Sequence, residues 1–541
     1  MRHLILIVIL NLIQAPAHAQ YLVKDINTGI QSSNPKLMGK IQNQLIFFAT
    51  DNTNDEELWI SDGSYNGTRL LKDLYPNRTL RYHSGSCLQI DSLIYFAVSG
   101  INNKNALWRT NGTESGTFML CETFLSVASA NNSKIHSFNN KVYFTGYDSA
   151  HGEELWVSDG SVVGTKLFSD INTEYGKNSN IADLQTMNGK LYFKANDGVH
   201  GMELWESDGT STRMVIDLYP GTLSGVPDYD YGCQLIPLKN QLYFSGRTDS
   251  VGGFELYRSD GTDNGTKLFK DFNLANKMGT YPRINSITDS FFTFYIYDST
   301  NQYRLFRCDG TQGGTYRVGE DKDYPIGLLI DDFYRQLGQT SYFGMCTSAA
   351  GCELWVSDGT KSGTKPIMDI ASGNNSSLTS EAVIYRNQLI FAAFNQQIGR
   401  ELWITDGTTT RLLLETLPGN MTSNFLSLYL IDDVLYYSGQ SNNSLGLELY
   451  AINLAQLLST KDIQANILAI WPNPVRAGET LNISGQNAFR YTLSDLSGRV
   501  LISDYSDNST IQIPSDMAPG LFLLMTQSDK GVQYTKIQIF N

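Results

Sequence analysis

Charge is scarce in this 541-residue chain: only 17% of residues are charged, against about 25% in ordinary globular domains. The surface must rest on neutral polar groups, mainly Asn, Ser, Thr and Gly. The charge that exists is mostly acidic, 54 residues against 40 basic, for a net −14. That excess disfavours nucleic acid or an anionic membrane as the main partner. Long apolar runs are missing too. The first, Leu4 to Ile13 broken by Asn11, is too short to cross a bilayer as a helix, and no later stretch reaches the ~18 residues a span needs. Six cysteines are too few for a disulfide scaffold at this length. No Cys-x-x-Cys or His-rich cluster suggests zinc. Past residue 19 the histidines are His83, His136, His151 and His200, none in His-Glu-x-x-His or Gly-x-Ser-x-Gly surroundings. These absences leave no catalytic, cofactor-binding or metal-ligating residue to nominate. What remains, 41% hydrophobic and 11% aromatic, excludes a disordered chain. The length suggests three or four units at roughly 150 residues each.

The N-terminus reads as an address. Met1-Arg2-His3 is basic, Leu4–Ile13 is apolar, and Ala17-His18-Ala19 is a small-x-small cleavage pattern before Gln20. This predicts a secretory signal peptide over 1–19, cut between Ala19 and Gln20. A retained anchor is the alternative, and the short apolar run weighs against it.

Export bears on the cysteines. Cys346 and Cys352 flank Thr347-Ser348-Ala349-Ala350-Gly351, a strand–turn–strand pattern that would let the two side chains meet across a hairpin. A disulfide and a pair of small buried thiols are both open readings here. Buried thiols are the preferred reading for Cys87, Cys121, Cys233 and Cys308.

The chain repeats itself. Glu-Leu-aromatic recurs as Glu57-Leu58-Trp59, Glu154-Leu155-Trp156, Glu203-Leu204-Trp205, Glu255-Leu256-Tyr257, Glu353-Leu354-Trp355, Glu401-Leu402-Trp403 and Glu448-Leu449-Tyr450. Ala106-Leu107-Trp108 and Arg304-Leu305-Phe306 are degenerate copies. Successive leucines lie 47 to 52 residues apart, so nine units share one plan. In the third, Lys134–Phe138, Lys141–Thr145, Glu154–Ser158 and Gly164–Asp170 read as strands. Asn139-Asn140 and Asp159-Gly160-Ser161 supply turn chemistry, and Gly146–Gly152 a polar loop. Four short antiparallel strands per ~49 residues predict the blades of a β-propeller.

The ends predict closure. A fourth strand follows each of the first eight third strands, but none follows Glu448–Ile452. Tyr21-Leu22-Val23-Lys24-Asp25 looks like a fourth strand without a blade. Pairing it with the last unit would complete nine blades and leave no open edge.

From Trp471-Pro472-Asn473-Pro474 another pattern begins. Leu481/Ile483, Tyr491/Leu493, Val500/Ile502, Ile511/Ile513, Leu521/Leu523 and Ile537/Ile539 alternate with mostly polar residues. This predicts a small antiparallel β-sandwich over 470–541, with 454–469 as linker after a repeat domain over 20–453.

The units, with Glu-Leu-Trp-x-Ser-Asp-Gly-Thr and a following Gly-Thr, resemble the ELWxxDGT repeat family of secreted bacterial proteins. The tail resembles the type A C-terminal sorting domain of the type IX secretion system of Bacteroidetes. Its matching residues are Pro472, Asn473 and Pro474 after Trp471, Leu496-Ser497-Gly498-Arg499-Val500, Pro519-Gly520-Leu521-Phe522 and Lys536-Ile537-Gln538-Ile539. Trp471 and Phe522 stand where that family more often has Tyr. The resemblance implies the type IX machinery as partner, passage across the outer membrane, then surface attachment to lipopolysaccharide or release. It implies no catalytic residues.

The recurring Glu admits two readings. Glu57 shares a strand face with Trp59 and Ser61, and both faces of a blade are covered, so the carboxylate must find donors. A scaffold hydrogen bond is the favoured reading. A carboxylate ring lining a channel is the other, and Ala106 and Arg304 count against it. Asp-Gly-Thr reads as hairpin chemistry. Asp51 to Glu57 lacks the sixth-position Gly of a calcium loop and reads as solvated. The resulting expectation is an exported non-catalytic binding or adhesin-like protein with a glycan or envelope-protein ligand. The alternative is an exported enzyme acting on polysaccharide.

Overall fold

A computed structural model describes the chain except residues 1–19, 54, 77–80, 100–104, 123–134, 229–233, 249–252, 273–278, 299–302, 319–333, 348–349, 417–426, 441–444, 459–469, 472–474, 484–488, 496–498, 529–530 and 541. It comprises two compact units, 1–453 and 454–541. The first is the all-β propeller architecture expected from the repeats. Among the described residues it holds nine four-stranded sheets, and in eight of them the strands lie in sequence order.

The first sheet shows the plan: Lys36–Ile41, Gln44–Thr50, Glu56–Ser61 and Arg69–Lys72, each antiparallel to the next. The second and third strands are buried on both faces, as Leu45, Ile46, Phe47 and Phe48 show for one and Leu58, Trp59 and Ile60 for the other. Residues on alternate sides of each strand therefore serve two interfaces. Ile46 and Phe48 join the core shared with Ile94 and Phe96 of the second sheet. Leu45 and Phe47 join a core shared with Tyr436, Leu449 and Ala451 of the ninth. Adjacent sheets approach through their first strands.

The ninth sheet is the exception in order. Its strands Leu428–Ile431, Val434–Gly439 and Glu448–Asn453 are completed by Gln20–Lys24, with Gln20 opposite Ile452 and Leu22 opposite Tyr450. In the third unit the second strand runs Lys141–Asp148 and the third begins at Gly152. The loop read over Gly146–Gly152 is thus mostly paired backbone, because Thr145, Gly146 and Tyr147 continue the ladder against Leu155, Glu154 and Glu153.

The second unit pairs a three-stranded sheet with a five-stranded one over a core of Val475, Leu481, Ile483, Phe489, Leu493, Ile511, Phe522, Leu524, Ile537 and Ile539. Two details differ from the sequence reading. Val475–Arg476 pairs parallel with the strand ending at Phe540, so the sheet is mixed. In Gly520–Ser528 the inward residues are Phe522 and Leu524, whereas Leu521 is exposed. The run Leu-Phe-Leu-Leu-Met is apolar on both faces, so a period of two cannot choose between them. Leu454–Leu458, read as linker, forms a helical turn. Among the described residues no helix is long and apolar enough to cross a membrane.

Candidate binding face

In a four-stranded antiparallel sheet the second-to-third loops and the connections to the next sheet emerge at the same end. The recurring Glu fixes those connections. It opens the third strand, is essentially buried in all seven copies, and reaches the chain leaving the fourth strand. Glu57 Oε2 accepts the Leu74 N–H at 2.8 Å, and Glu154 Oε2 that of Ile171 at 2.8 Å. Glu203 takes N–H groups from Leu218 at 3.1 Å and Gly225 at 2.7 Å, holding both ends of one connection. Glu255 accepts the N–H and hydroxyl of Thr280, and Glu353 the Ile370 and Ala371 N–H groups with the Ser377 hydroxyl. Glu401 accepts the Thr416 N–H at 2.6 Å, and Glu448 those of Ile26 at 2.8 Å and Ser33 at 3.0 Å. Every such carboxylate is thus engaged by backbone, which is the scaffold reading; none is left to line a channel. Burial outweighs these donors and pushes the carboxyls of Glu57, Glu154, Glu255, Glu353 and Glu448 up to about 7, and that of Glu203 to about 8. Where the sixth unit has Arg304 instead, its Nε donates to Asp298 at 2.6 Å.

The opposite end carries Asp-Gly-Thr. Asp62 Oδ1 accepts the Ser64 N–H and hydroxyl, and these bonds hold its pKa below the usual carboxylate range. Buried Ser61 Oγ accepts the Gly63 N–H and lies 2.7 Å from Thr68 Oγ1. The second glycine of the motif has its own reason: a Cβ at Gly67 would fall 2.0 Å from Asp62 Oδ1. A contact invisible to local motif reading completes the joint. The second-strand Tyr that precedes an aromatic residue in one sheet meets the Asp-Gly glycine of the next, and a Cβ there would come 2.0 Å from Oη for Tyr192 on Gly261 and 2.7 Å for Tyr342 on Gly407. The pairs Tyr95–Gly160, Tyr143–Gly209, Tyr243–Gly310 and Tyr436–Gly63 repeat it. Recurrence of Tyr before an aromatic residue was the available signal.

Several nominated residues fall on the loop end. Cys346 and Cys352 stand opposite each other and are joined by a disulfide across their hairpin. His151 and His200 pair with Asp148 and Asp197 three residues earlier, which also take backbone N–H groups of the same loops. Those Asp bonds raise both imidazoles. Gln20 Nε2 donates to Tyr437 Oη at 2.6 Å. In the second unit Gly520 pairs with Ile539. Ala19, Cys233, Pro472, Asn473, Pro474 and Gly498 lie outside the described residues. His136 bonds Thr186 across adjacent sheets, and the Asp51 carboxylate takes the Thr53 N–H and hydroxyl. Among the described residues no three His, Cys, Asp or Glu gather as ligands for an ion.

Sequence reasoning missed an aromatic group on this same end, around the fifth unit. Arg247 follows strand Gln241–Gly246. Its guanidinium lies over the rings of Tyr219 at 4.9 Å and Phe254 at 4.7 Å. Nε donates to the Ser224 carbonyl at 2.7 Å, and the Arg247 N–H to that of Gly225 at 2.8 Å. Phe254 packs on Tyr281, ring centroids 5.5 Å apart.

No protein-family model and no curated protein matches the chain. Among solved structures it is similar to a Mycobacterium tuberculosis puromycin-hydrolyzing peptidase, 11% identical over 67% of this chain and 57% of that one, TM-score 0.38. It is similar also to TolB from Acinetobacter baumannii, 11% identical over 60% and 77%, TM-score 0.28. A third is PorZ, described as an essential surface component of the type-IX secretion system of Porphyromonas gingivalis, 8% identical over 97% and 100%, TM-score 0.19. The chain spans 58% of the length of the puromycin hydrolases it matches. At these identities and TM-scores the likeness carries no conclusion about this chain.

Proposed function

We propose that the chain is an exported, non-catalytic binding protein, carried by the type IX secretion machinery through its tail and displayed on or released from the cell surface. In this reading the nine sheets form one closed ring, and the loop end contacts a glycan, protein or other envelope component. The observation that carries it is the fate of the repeated acids. Seven glutamates that could have formed a reactive ring each bind backbone instead, holding the connections that build the loop end. A scaffold that places rigid connections around variable loops suits recognition. The ELWxxDGT repeats and the Bacteroidetes-type tail support the destination. The test is to screen the purified chain in parallel on glycan arrays and against polysaccharide substrates. Saturable binding without turnover is expected. Turnover of any polymer would replace this reading with that of an exported polysaccharide-acting enzyme.

A further inference from the structure

Several arginines of this chain are held by acids, but Arg247, like Arg109 over Phe118 and Arg258 over Phe269, is held by rings instead, and of these three it alone follows a second strand, on the loop end. Arg213 pairs with Glu206, Arg304 with Asp298, Arg307 with Asp309 and Arg386 with Asp433. Among the described residues no carboxylate pairs with Arg247, although the chain carries a net −14. Nor is it a loose surface side chain. Two rings and one carbonyl fix its guanidinium, and the segments supplying them are tied down in turn. Glu203 holds Leu218 and Gly225 on either side of Tyr219 and Ser224. Glu255 holds Thr280, and the Tyr281 N–H donates to the Phe254 carbonyl at 3.1 Å. Tyr281 sits at φ 47°, a left-handed conformation that costs an aromatic residue energy and is maintained by those bonds. The residue remains 39% exposed. The result is a pre-ordered cation with Nε already bonded, next to a held, partly exposed tyrosine.

Resting on the binding reading above, we propose that this cluster is a saccharide subsite selective for a carboxylated sugar, the uronate residue of an acidic polysaccharide. A guanidinium presents paired N–H donors that match the two oxygens of one carboxylate. A phenol ring offers a flat apolar surface with a polar rim, to which the C–H face of a pyranose can be laid while its hydroxyls stay hydrated. Further exposed rings occur on the same end, Tyr147 and Tyr175 in the third unit and Tyr297 in the sixth. Exposed rings spread over several units of one end fit an extended polymer better than a compact ligand. Because Arg247 needs no rearrangement to present its donors, little ordering cost opposes binding.

The full chain would be titrated calorimetrically with oligomers of galacturonate, glucuronate and mannuronate. The same oligomers with their carboxyl groups reduced to alcohols, a sulfated neutral oligomer and a peptide with a free C-terminal carboxylate complete the set. We expect saturable binding of at least one uronate oligomer, and binding at least tenfold weaker once it is reduced. Arg247→Ala and Arg247→Lys should each weaken binding at least tenfold under conditions where a thermal melt shows the variant folded, the lysine failing because it lacks the planar fork. Tyr281→Ala should weaken it severalfold. Equal affinity for acidic and reduced oligomers would overturn the proposal, as would undiminished binding by Arg247→Lys, preference for the sulfated oligomer or the peptide, or no uronate binding at all. The ligand-side comparison stands even if a variant fails to fold. Binding of neutral glycans unaffected by either Arg247 variant would sink this subsite while leaving the broader binding reading intact.

Discussion

The Glu448 carboxylate accepts the Ile26 N–H at 2.8 Å, joining residues 422 apart in the chain. The same side chain takes the Ser33 N–H at 3.0 Å and its hydroxyl at 2.7 Å. The clamp that elsewhere acts within one sheet and its exit here joins the first residues to the last repeat, because Gln20–Lys24 is the outer strand of the ninth sheet.

Closure of the repeats should therefore depend on a short N-terminal segment. Deleting residues 20–26 removes a ladder, the Ile26 donor and the buried side chain of Val23, and exposes a sheet edge. Thermal melts should show a sharply lower transition, with more aggregation on standing. An unchanged melt would mean that the segment does not close the repeats.

The buried glutamates give stability a pH dependence whose sign is fixed. Their folded-state pKa of about 7 to 8 lies above the ordinary 4.5. Stability from this source is full below pH 4.5 and declines as pH rises through 7 to 8. The hairpin acids act oppositely. Asp62, Asp159, Asp208 and Asp260 are held below their usual value by Ser and Thr donors, so their contribution is lost as pH falls below about 4. Melting temperature should peak between about pH 4.5 and 6 and fall towards pH 8. A maximum above pH 8 would refute this assignment.

The joint between units predicts a coupled pair. Gly407 has φ 87° and a Cβ there would lie 2.7 Å from Tyr342 Oη. Gly407→Ala should destabilise by about 2–3 kcal/mol, part backbone strain and part collision. In Tyr342→Phe the same glycine substitution should cost about 1 kcal/mol less. Strict additivity in denaturant titrations would show that the contact is slack.

Much of this was legible in the sequence, and the limits have physical causes. A spacing of 47 to 52 residues with turn signals at fixed offsets specifies sheets of four strands, since no other period explains the pattern. The displaced strand Tyr21–Asp25 could be found by counting. The buried Glu could be assigned to scaffold because it recurs, but its donors lie 15 to 25 residues further on in six units, and at Ile26 and Ser33 for Glu448, so no local pattern pairs them. The bulge where the fourth strand meets the third was not legible. Leu58 pairs with Lys72 and Trp59 with Leu70, so Leu71 has no partner and turns into the core. Leu120, Val215, Phe269 and Leu413 repeat this. Strict alternation misassigns such residues. Arg247 and its rings come from three separate segments, and no single motif contains them.

The second unit predicts a destination. It has its own core, so removing residues 470–541 should leave the repeat unit folded but retained in the periplasm. Fractionation of cells expressing the intact and shortened chains would decide. Equal surface display of both would refute the sorting role.

The central claim is that the recurring glutamate holds the scaffold and does no chemistry. The most direct test is a set of seven single Glu→Gln substitutions, at Glu57, Glu154, Glu203, Glu255, Glu353, Glu401 and Glu448, each measured for unfolding free energy and for action on polysaccharides. An amide retains one acceptor but places a donor against backbone N–H groups, so every variant should lose about 1–3 kcal/mol, and none should alter turnover, which is expected to be absent throughout. One variant with unchanged stability and abolished turnover of a polymer would contradict the account.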